Sequence, residues 1–243
     1  MELLIAGAKA LQITLQPEHL TAFRTYDETL REWNARFNLT AITDTEGVQV
    51  RHFLDSLSCL HALEASAPLG TCRLIDVGTG AGFPGLPLKI LRPQLRLTLV
   101  EATEKKTRFL QHIVEQLQLR EVQVLHARAE ELGQDPAHRE RYDWVVARAV
   151  AEMPILMEYL LPLAKLGGRV LAQKGESAPA EVQGGEYAIT QLGGRVQRIA
   201  PVELRGLAET RYLVVVAKVA ATPDKYPRRA GMPAKRPLCA NEG

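Results

Sequence analysis

Apolar residues over the first 70 positions recur with a helical period. Leu20, Phe23, Leu30, Trp33 and Phe37 are separated by steps of three, four or seven, which gathers them on one stripe. Asn34 to Thr40 (NARFNLT) breaks that pattern. Thr43 followed by Glu46 has the spacing of a capping box, so a further helix is expected to start there and to run through RHFLDSLSCLHAL until Pro68 and Gly70 end it. Beyond Gly70 short apolar runs alternate with helical patterns. Strands are predicted at Arg73 to Val77, Leu95 to Val100, Val122 to His126, Tyr142 to Ala147 and Arg169 to Gln173, with helical segments such as Lys105 to Leu117 between them. Val196 to Leu204 and Tyr212 to Val219 are two more strand-like runs with no room for a helix between them, so they are expected to pair antiparallel. No internal repeat is visible.

Strands alternating with helices imply an α/β fold around a doubly wound sheet. Five parallel strands followed by a terminal antiparallel pair is the pattern of the seven-stranded, mostly parallel sheet of class I (Rossmann-like) methyltransferases, whereas the usual dinucleotide-binding fold continues with parallel strands. The expected organisation is an N-terminal helical extension over residues 1–70, a methyltransferase domain over 71–220 and a basic, Pro-containing tail over 221–243. At 243 residues, 46% hydrophobic and 24% charged, the chain is long enough to bury one α/β core and still carry an extension.

No apolar stretch approaches the roughly 18 uninterrupted residues of a membrane span. The start, MELLIAGAKALQ, has neither a basic beginning nor a small-residue cleavage site, so a soluble, cytoplasmic protein is expected. Cys59, Cys72 and Cys239 are odd in number, widely spaced and without a CxxC pair, which points to reduced thiols and to no disulfide framework or metal site. A net charge of +2 says nothing about nucleic acid, but its distribution does. In KYPRRAGMPAKR five basic residues, Lys225, Arg228, Arg229, Lys235 and Arg236, stand without an acidic one, and Pro227 and Pro233 oppose a regular helix. The plain reading is a solvated charged end; the functional one is an extended arm that adds salt-dependent affinity for a phosphate backbone.

The strongest local signal is LIDVGTGAGFPGLPLKIL, residues 74–91, a strand ending in a glycine-rich turn that opens a helix. Gly80, Gly82 and Gly85 satisfy GxGxxG, and Glu101 ends the second strand where a carboxylate can hold ribose hydroxyls, so NAD and S-adenosylmethionine both fit the motif. Three further residues favour the second cofactor. Asp76, just before the loop, suits an ammonium-bearing ligand or its water shell and is poorly placed beside a pyrophosphate. RAEEL at Arg128 to Leu132 follows the third strand, where methyltransferases commonly place an acidic group near the adenine amino group. Arg148 stands at the carboxyl end of the fourth strand, in the crevice where open α/β sheets bind ligands. Plainer roles compete: Asp76 and Glu101 as caps, and Glu130 as an acidic residue that favours a helix start.

Taken together, NLTAI (Asn38 to Ile42), RHFLDS (Arg51 to Ser56), IDVGTGAGFPGLPL (Ile75 to Leu88), RAEE, ARAV and QKG (Gln173 to Gly175) resemble the RsmG family, also called GidB, over nearly the whole chain, including the YPRRAGMPAKRP tail. The resemblance implies an enzyme that uses S-adenosylmethionine to methylate N7 of a guanine in bacterial 16S rRNA, on the small ribosomal subunit or an assembly intermediate. By position it implies cofactor contacts at Gly78, Phe83, Ala129, Glu130 and Arg148, with Glu101 at the ribose, which join Asp76, Gly80 and Gly82 of the loop. It also singles out Asn38, His52, Asp55 and Lys174 as candidates near the RNA or the reacting guanine. Phe83 stands where other members have Leu.

Guanine N7 carries a lone pair, so its methylation needs positioning and no catalytic base. Methylation of an exocyclic amine commonly uses an NPPY-like motif after the fourth strand, where this chain has ARAV. C5 methylation of a pyrimidine needs a cysteine nucleophile near the strand ends, but Cys72 precedes the first strand and Cys59 lies in the N-terminal helices. Arg148, His52, Asn38 and Lys174 are accordingly expected in positioning roles, Arg148 on the cofactor or a phosphate and Lys174 on a phosphate with the tail cations. Arg51 and Asp55 are expected to pair at i,i+4, and His52 shares a face with Asp55, which suits a brace between cap and sheet as well as an RNA contact. Asn38 is equally a turn residue, and Trp33 and Phe37 read as core. A small-molecule methyltransferase with a helical lid and an NAD-dependent oxidoreductase are the competing readings. The absence of coiled-coil heptads points to a monomer.

Overall fold

The helical pattern of the first segment is realised in the computed structural model, which describes residues 1–65 and 68–240. The segment forms α1 (Glu2–Ala10), α2 (Pro17–Phe37), α3 (Thr45–Gly47), a π-helical stretch at Val48–Leu54, α4 (Asp55–Ser58) and α5 (Leu60–Leu63). Helix α2 has Pro17 in its first turn, where a missing N–H costs nothing, and it ends at Asn38 in the left-handed region with φ 49°. Phe23 and Leu30 of the predicted stripe are buried, while Phe37 at its end is 39% exposed. Two local expectations are corrected. The capping residue is Asp44, whose Oδ1 accepts from the Gly47 N–H at 2.6 Å, and not Thr43 with Glu46; a carboxylate is the stronger acceptor at a helix start. The helix that follows is wound in π form through Arg51 and His52, a distinction that apolar spacing does not carry.

The seven strands are β1 (Arg73–Val77), β2 (Arg96–Glu101), β3 (Val122–His126), β4 (Tyr142–Arg148), β5 (Ala164–Lys174), β6 (Gly194–Val202) and β7 (Arg211–Lys218). They lie in the order β3-β2-β1-β4-β5-β7-β6. The first five pair parallel, β7 runs antiparallel to β5, and β6 antiparallel to β7, as the sequence rhythm requires. Strand β5 begins five residues earlier than expected because the Gly167–Gly168 pair lets the chain enter the sheet around an irregularity opposite Tyr142. Alternation along the strands sends side chains to two cores. Leu74, Trp144, Val146 and Leu171 pack with α6 (Gly85–Leu91), α7 (Glu104–Gln116) and, from the N-terminal segment, Phe23, Tyr26, Leu30, Phe53 and Leu57. Ile75, Val77, Val145, Ala147, Val170 and Ala172 pack on the other face with α8 (Ala129–Gln134), α9 (Met153–Leu160) and α10 (Ala178–Gln191). The N-terminal segment is thus a cap on one face of the sheet.

The C-terminal segment departs from the extended arm expected of it; its last three residues, 241–243, lie outside the described ones. Pro233 occupies the first turn of a short helix, α11 (Met232–Lys235), where proline is tolerated. Tyr226 and Leu238 are buried in the second core, which stabilises the docked conformation by roughly 1.5–3 kcal/mol for the leucine alone. Arg139 donates to the carbonyls of Thr222 and Tyr226, and Arg228 is paired with the fully buried Glu158. Apolar anchors therefore override the prolines, and the segment clasps the domain. Among the described residues no helix is long and apolar enough to cross a membrane.

Candidate active site

Strand β1 carries Asp76 to the underside of the glycine-rich loop. The side chain is fully buried, and its Oδ2 accepts from the Thr79 hydroxyl at 2.6 Å and from the Gly85 N–H at 2.8 Å. Burial pushes its carboxyl up to about 6, against the pull of those two hydrogen bonds. Its other oxygen has no partner among the described residues. Asp76 therefore shapes the loop from below. Gly78 (φ 68°) could not be replaced without strain, since a Cβ there would stand 2.8 Å from Val150. Gly82 (φ 102°) is pressed against Leu86 and the hydroxyl of Tyr26, which itself donates to the Ala81 carbonyl at 2.5 Å and so ties α2 to the loop. At the end of β2, Glu101 accepts from the Gly80 N–H at 3.0 Å and from the Thr103 N–H at 2.8 Å.

This loop forms one wall of a cleft of about 540 Å³. Gly78, Gly80 and Phe83 line it on the sheet side, Leu39, Thr40, Ile42, Arg51 and His52 on the cap side, and Arg148, Lys174 and Arg211 also face it. Arg148 joins the two walls. Its guanidinium donates to Asp55 Oδ2 at 2.9 Å, to the Arg51 carbonyl at 3.1 Å and to His52 Nδ1 at 3.3 Å, and it lies 5.1 Å above the Phe83 ring. The Phe83 ring stacks on His52 at 4.3 Å and on Tyr26 at 5.3 Å, both within 11° of parallel, so a phenylalanine here supports a ring column. Burial and the neighbouring Arg148 charge lower His52 from 6.5 to about 3, leaving it neutral at ordinary pH.

The expected ion pair between Arg51 and Asp55 is replaced. Asp55 is only 3% exposed and sits between Arg148 and Arg211, the latter at 3.5 Å, with the Gln173 amide donating to it at 2.9 Å. Guanidinium groups from the sheet outcompete Arg51, which stays on the exposed rim. Burial still pushes the Asp55 carboxyl up, while Arg148 and Arg211 pull it down.

Of the other expected residues, Lys174 lines the cleft and Glu101, Ala129 and Glu130 do not. Lys174 ends β5 and faces the cleft, but its ammonium is held by the Ala151 carbonyl and Glu181. Asn38 is exposed and lies outside the cleft lining; it serves the left-handed end of α2. Ala129 and Glu130 start α8 on the same edge of the sheet as Glu101, and Glu130 accepts from the Gly231 N–H of the tail at 2.8 Å. Lys225, Arg229, Lys235 and Arg236 are exposed, Arg228 is paired with Glu158, and none of the five lines the cleft. Sequence reasoning missed Tyr26, Thr40 and Arg211 as parts of the site, and Gln173 as a brace. Thr40 and Gln173 lay inside quoted motifs, but Tyr26 and Arg211 carried no local signal. Among the described residues no group of three or more His, Cys, Asp or Glu is arranged to hold a metal ion.

Comparison with known proteins agrees with this architecture. The family model for GidB, rRNA small subunit methyltransferase G, matches residues 19–207. The chain is 53% identical to a ribosomal RNA small subunit methyltransferase G of Roseiflexus sp. (strain RS-1), over 98% of this chain and 100% of that protein. It is 44% identical to the protein of that name in Acetivibrio thermocellus, over 98% of this chain and 96% of the other. A SAM-dependent methyltransferase from Aquifex aeolicus superposes with a TM-score of 0.54 at 19% identity, covering 75% of this chain and 97% of that one, a likeness of fold alone.

Proposed function

This chain belongs to the GidB family, the rRNA small subunit methyltransferases G, and from that premise we propose that it methylates N7 of a guanine in 16S rRNA within the small ribosomal subunit or an assembly intermediate. It is an S-adenosylmethionine-dependent rRNA methyltransferase; the small-molecule and NAD-dependent readings are not favoured by its relatives. A cytoplasmic monomer acting beside its substrate is the setting we assign. The observation that carries the N7 reading is the cleft's chemistry. Among the described residues the one imidazole lining it, His52, has its Nδ1 turned to a guanidinium and its pKa lowered to about 3, and the lining carboxylates Asp55 and Glu181 are held by Arg148 and Lys174, which supports a site that positions and does not abstract a proton.

The residues present suit the cofactor. Each Glu101 oxygen accepts one backbone N–H and keeps a lone pair for a ribose hydroxyl, while Gly78 and Gly80 bring bare backbone to the cleft. S-adenosylmethionine supplies an electrophilic methyl group when bound. On the chain's side, Gly78, Gly80 and Glu101 would hold its sugar and amino-acid portion, and Glu130 would face its adenine. The Arg148–Asp55 junction fixes the cap against the loop, so that a base entering between Ile42 and Phe83 meets a pre-formed wall. The lone pair of N7 needs no deprotonation, and alignment and exclusion of water are what the walls contribute. Arg51 and the exposed tail cations are assigned to phosphates, whereas Lys174 is held by Glu181 and the Ala151 carbonyl.

The test is transfer of labelled methyl from S-adenosylmethionine to unmodified small subunits, followed by nuclease digestion and mass spectrometry. A single 7-methylguanosine is the expected product; a methyl group on any other atom or base contradicts the N7 assignment.

A further inference from the structure

The cap wall contains one hydroxyl whose hydrogen-bond polarity is fixed by its neighbours. Arg148 is a pure donor, so the His52 Nδ1 that it meets at 3.3 Å must be an acceptor. A neutral imidazole with Nδ1 accepting carries its proton on Nε2. That Nε2–H donates to Thr40 Oγ1 at 2.9 Å. The same oxygen accepts from the Ile42 N–H at 3.1 Å. A threonine hydroxyl has two lone pairs and one proton, and both lone pairs are now occupied. The proton of Thr40 is left to donate, and among the described residues no acceptor takes it. Thr40 lines the cleft, with the apolar Leu39 and Ile42 on either side of it in the chain. Its backbone is held too, because the Thr40 N–H donates to the buried Asn34 Oδ1 at 2.9 Å.

We propose that Thr40 is a specificity-determining contact whose hydroxyl donates to O6 of the target guanine. The inference rests on the N7-guanine reading above and deepens it. O6 lies beside N7 on the same edge of guanine, whereas adenine presents an amino group there. A hydroxyl able only to donate pairs with the first and opposes the second, so the chain Asp55, Arg148, His52, Thr40 converts a buried carboxylate into a guanine-reading donor. The other side-chain donors facing the cleft have partners in the protein: Thr79 on Asp76, Lys174 on Glu181 and Ala151, Arg148 on the cap, and Arg211 on Asp55 and Glu209. Arg51 is an exposed rim cation suited to phosphate and not to reading a base edge.

The test compares Thr40→Val, which keeps the shape and loses the hydroxyl, with Thr40→Ser, which keeps the hydroxyl, in the full-length protein on unmodified small subunits. Thr40→Val is expected to lower kcat/KM for methyl transfer by roughly ten- to a hundredfold, the range for removing a hydrogen bond to a desolvated acceptor. Thr40→Ser should stay within about threefold of wild type and melt as wild type does; Thr40→Val also strands the His52 Nε2–H and the Ile42 N–H and should melt lower, and both variants should bind S-adenosylmethionine as wild type does. A Thr40→Val enzyme within twofold of wild type, or a serine variant as impaired as the valine one, overturns the assignment. So does a Thr40→Val enzyme whose whole loss is in cofactor affinity. Product analysis of the wild type separates the two claims: a product other than 7-methylguanosine removes the N7 reading itself, whereas 7-methylguanosine with an indifferent Thr40 removes only this inference.

Discussion

The N-terminal cap and the C-terminal tail are both additions to the same sheet, one packed on each face, and they contribute in opposite ways. The cap places Leu39, Thr40, Ile42, Arg51 and His52 in the cleft, whereas none of the five tail cations reaches it. The cap is locked to the sheet by charge buried at the site, Asp55 between Arg148 and Arg211. The tail is locked by charge buried outside the cleft lining, Arg228 on Glu158, and among the described residues its Gly231 N–H reaches Glu130. An excess of positive charge identified the tail as a candidate for RNA, but on our proposal the target base meets the cap, where acidic residues outnumber basic ones.

The comparison is sharpened most by the loop that both additions flank. Gly78→Val forces a side chain into a φ of 68° and against Val150, and S-adenosylmethionine affinity should fall by more than about a hundredfold in calorimetry while the far-UV spectrum stays folded. Asp55→Ala leaves two guanidiniums without their carboxylate, and denaturant unfolding should show a loss of about 3–5 kcal/mol together with loss of methyl transfer. The matching tail variant, Glu158→Ala, should lose about 2–4 kcal/mol yet transfer methyl groups within a few-fold of wild type wherever it is folded. Were both variants equally inactive, the contrast between cap and tail would fail. Converting Lys225, Arg229, Lys235 and Arg236 together to alanine should leave stability unchanged and reduce the log-log salt slope of subunit binding by about three to four.

The pH dependence of stability separates the two walls further. His52 is lowered from 6.5 to about 3, so between those values the unfolded chain takes up a proton that the folded one refuses. Its contribution is present above 6.5 and is lost as pH falls toward 3. Asp76, raised to about 6, acts in the opposite sense, since its contribution is lost as pH rises through that value. Subtracting the profile of His52→Gln from that of wild type isolates the first term, with an expected difference in slope of up to about 1.4 kcal/mol per pH unit near pH 5.

Much of the fold was legible because its strands are short apolar runs flanked by turn residues: β1 and β3 were placed to the residue, and the terminal pair followed from the missing helix between them. The loop wall was legible for the same reason, its glycines and acidic residues being local to strand ends. Arg211 was not, because it reaches Asp55 only after β7 inserts beside β5. The π winding that re-aims Arg51 and His52 leaves the apolar spacing nearly unchanged. In the tail, charge and proline were read correctly as composition, but Tyr226 and Leu238, two apolar residues among many polar ones, decide where the segment lies.

The central claim is that the cap wall, and not the tail, holds the target base. A small diazirine-bearing aliphatic residue placed at Ile42, and in a second protein at Lys235, can be photo-crosslinked to unmodified small subunits and the crosslinks mapped on the RNA. The account expects the label at position 42 to mark the methylated nucleotide or its immediate neighbour, and the label at 235 to mark backbone elsewhere. A crosslink from 235 to the methylated nucleotide, with none near it from 42, would contradict it.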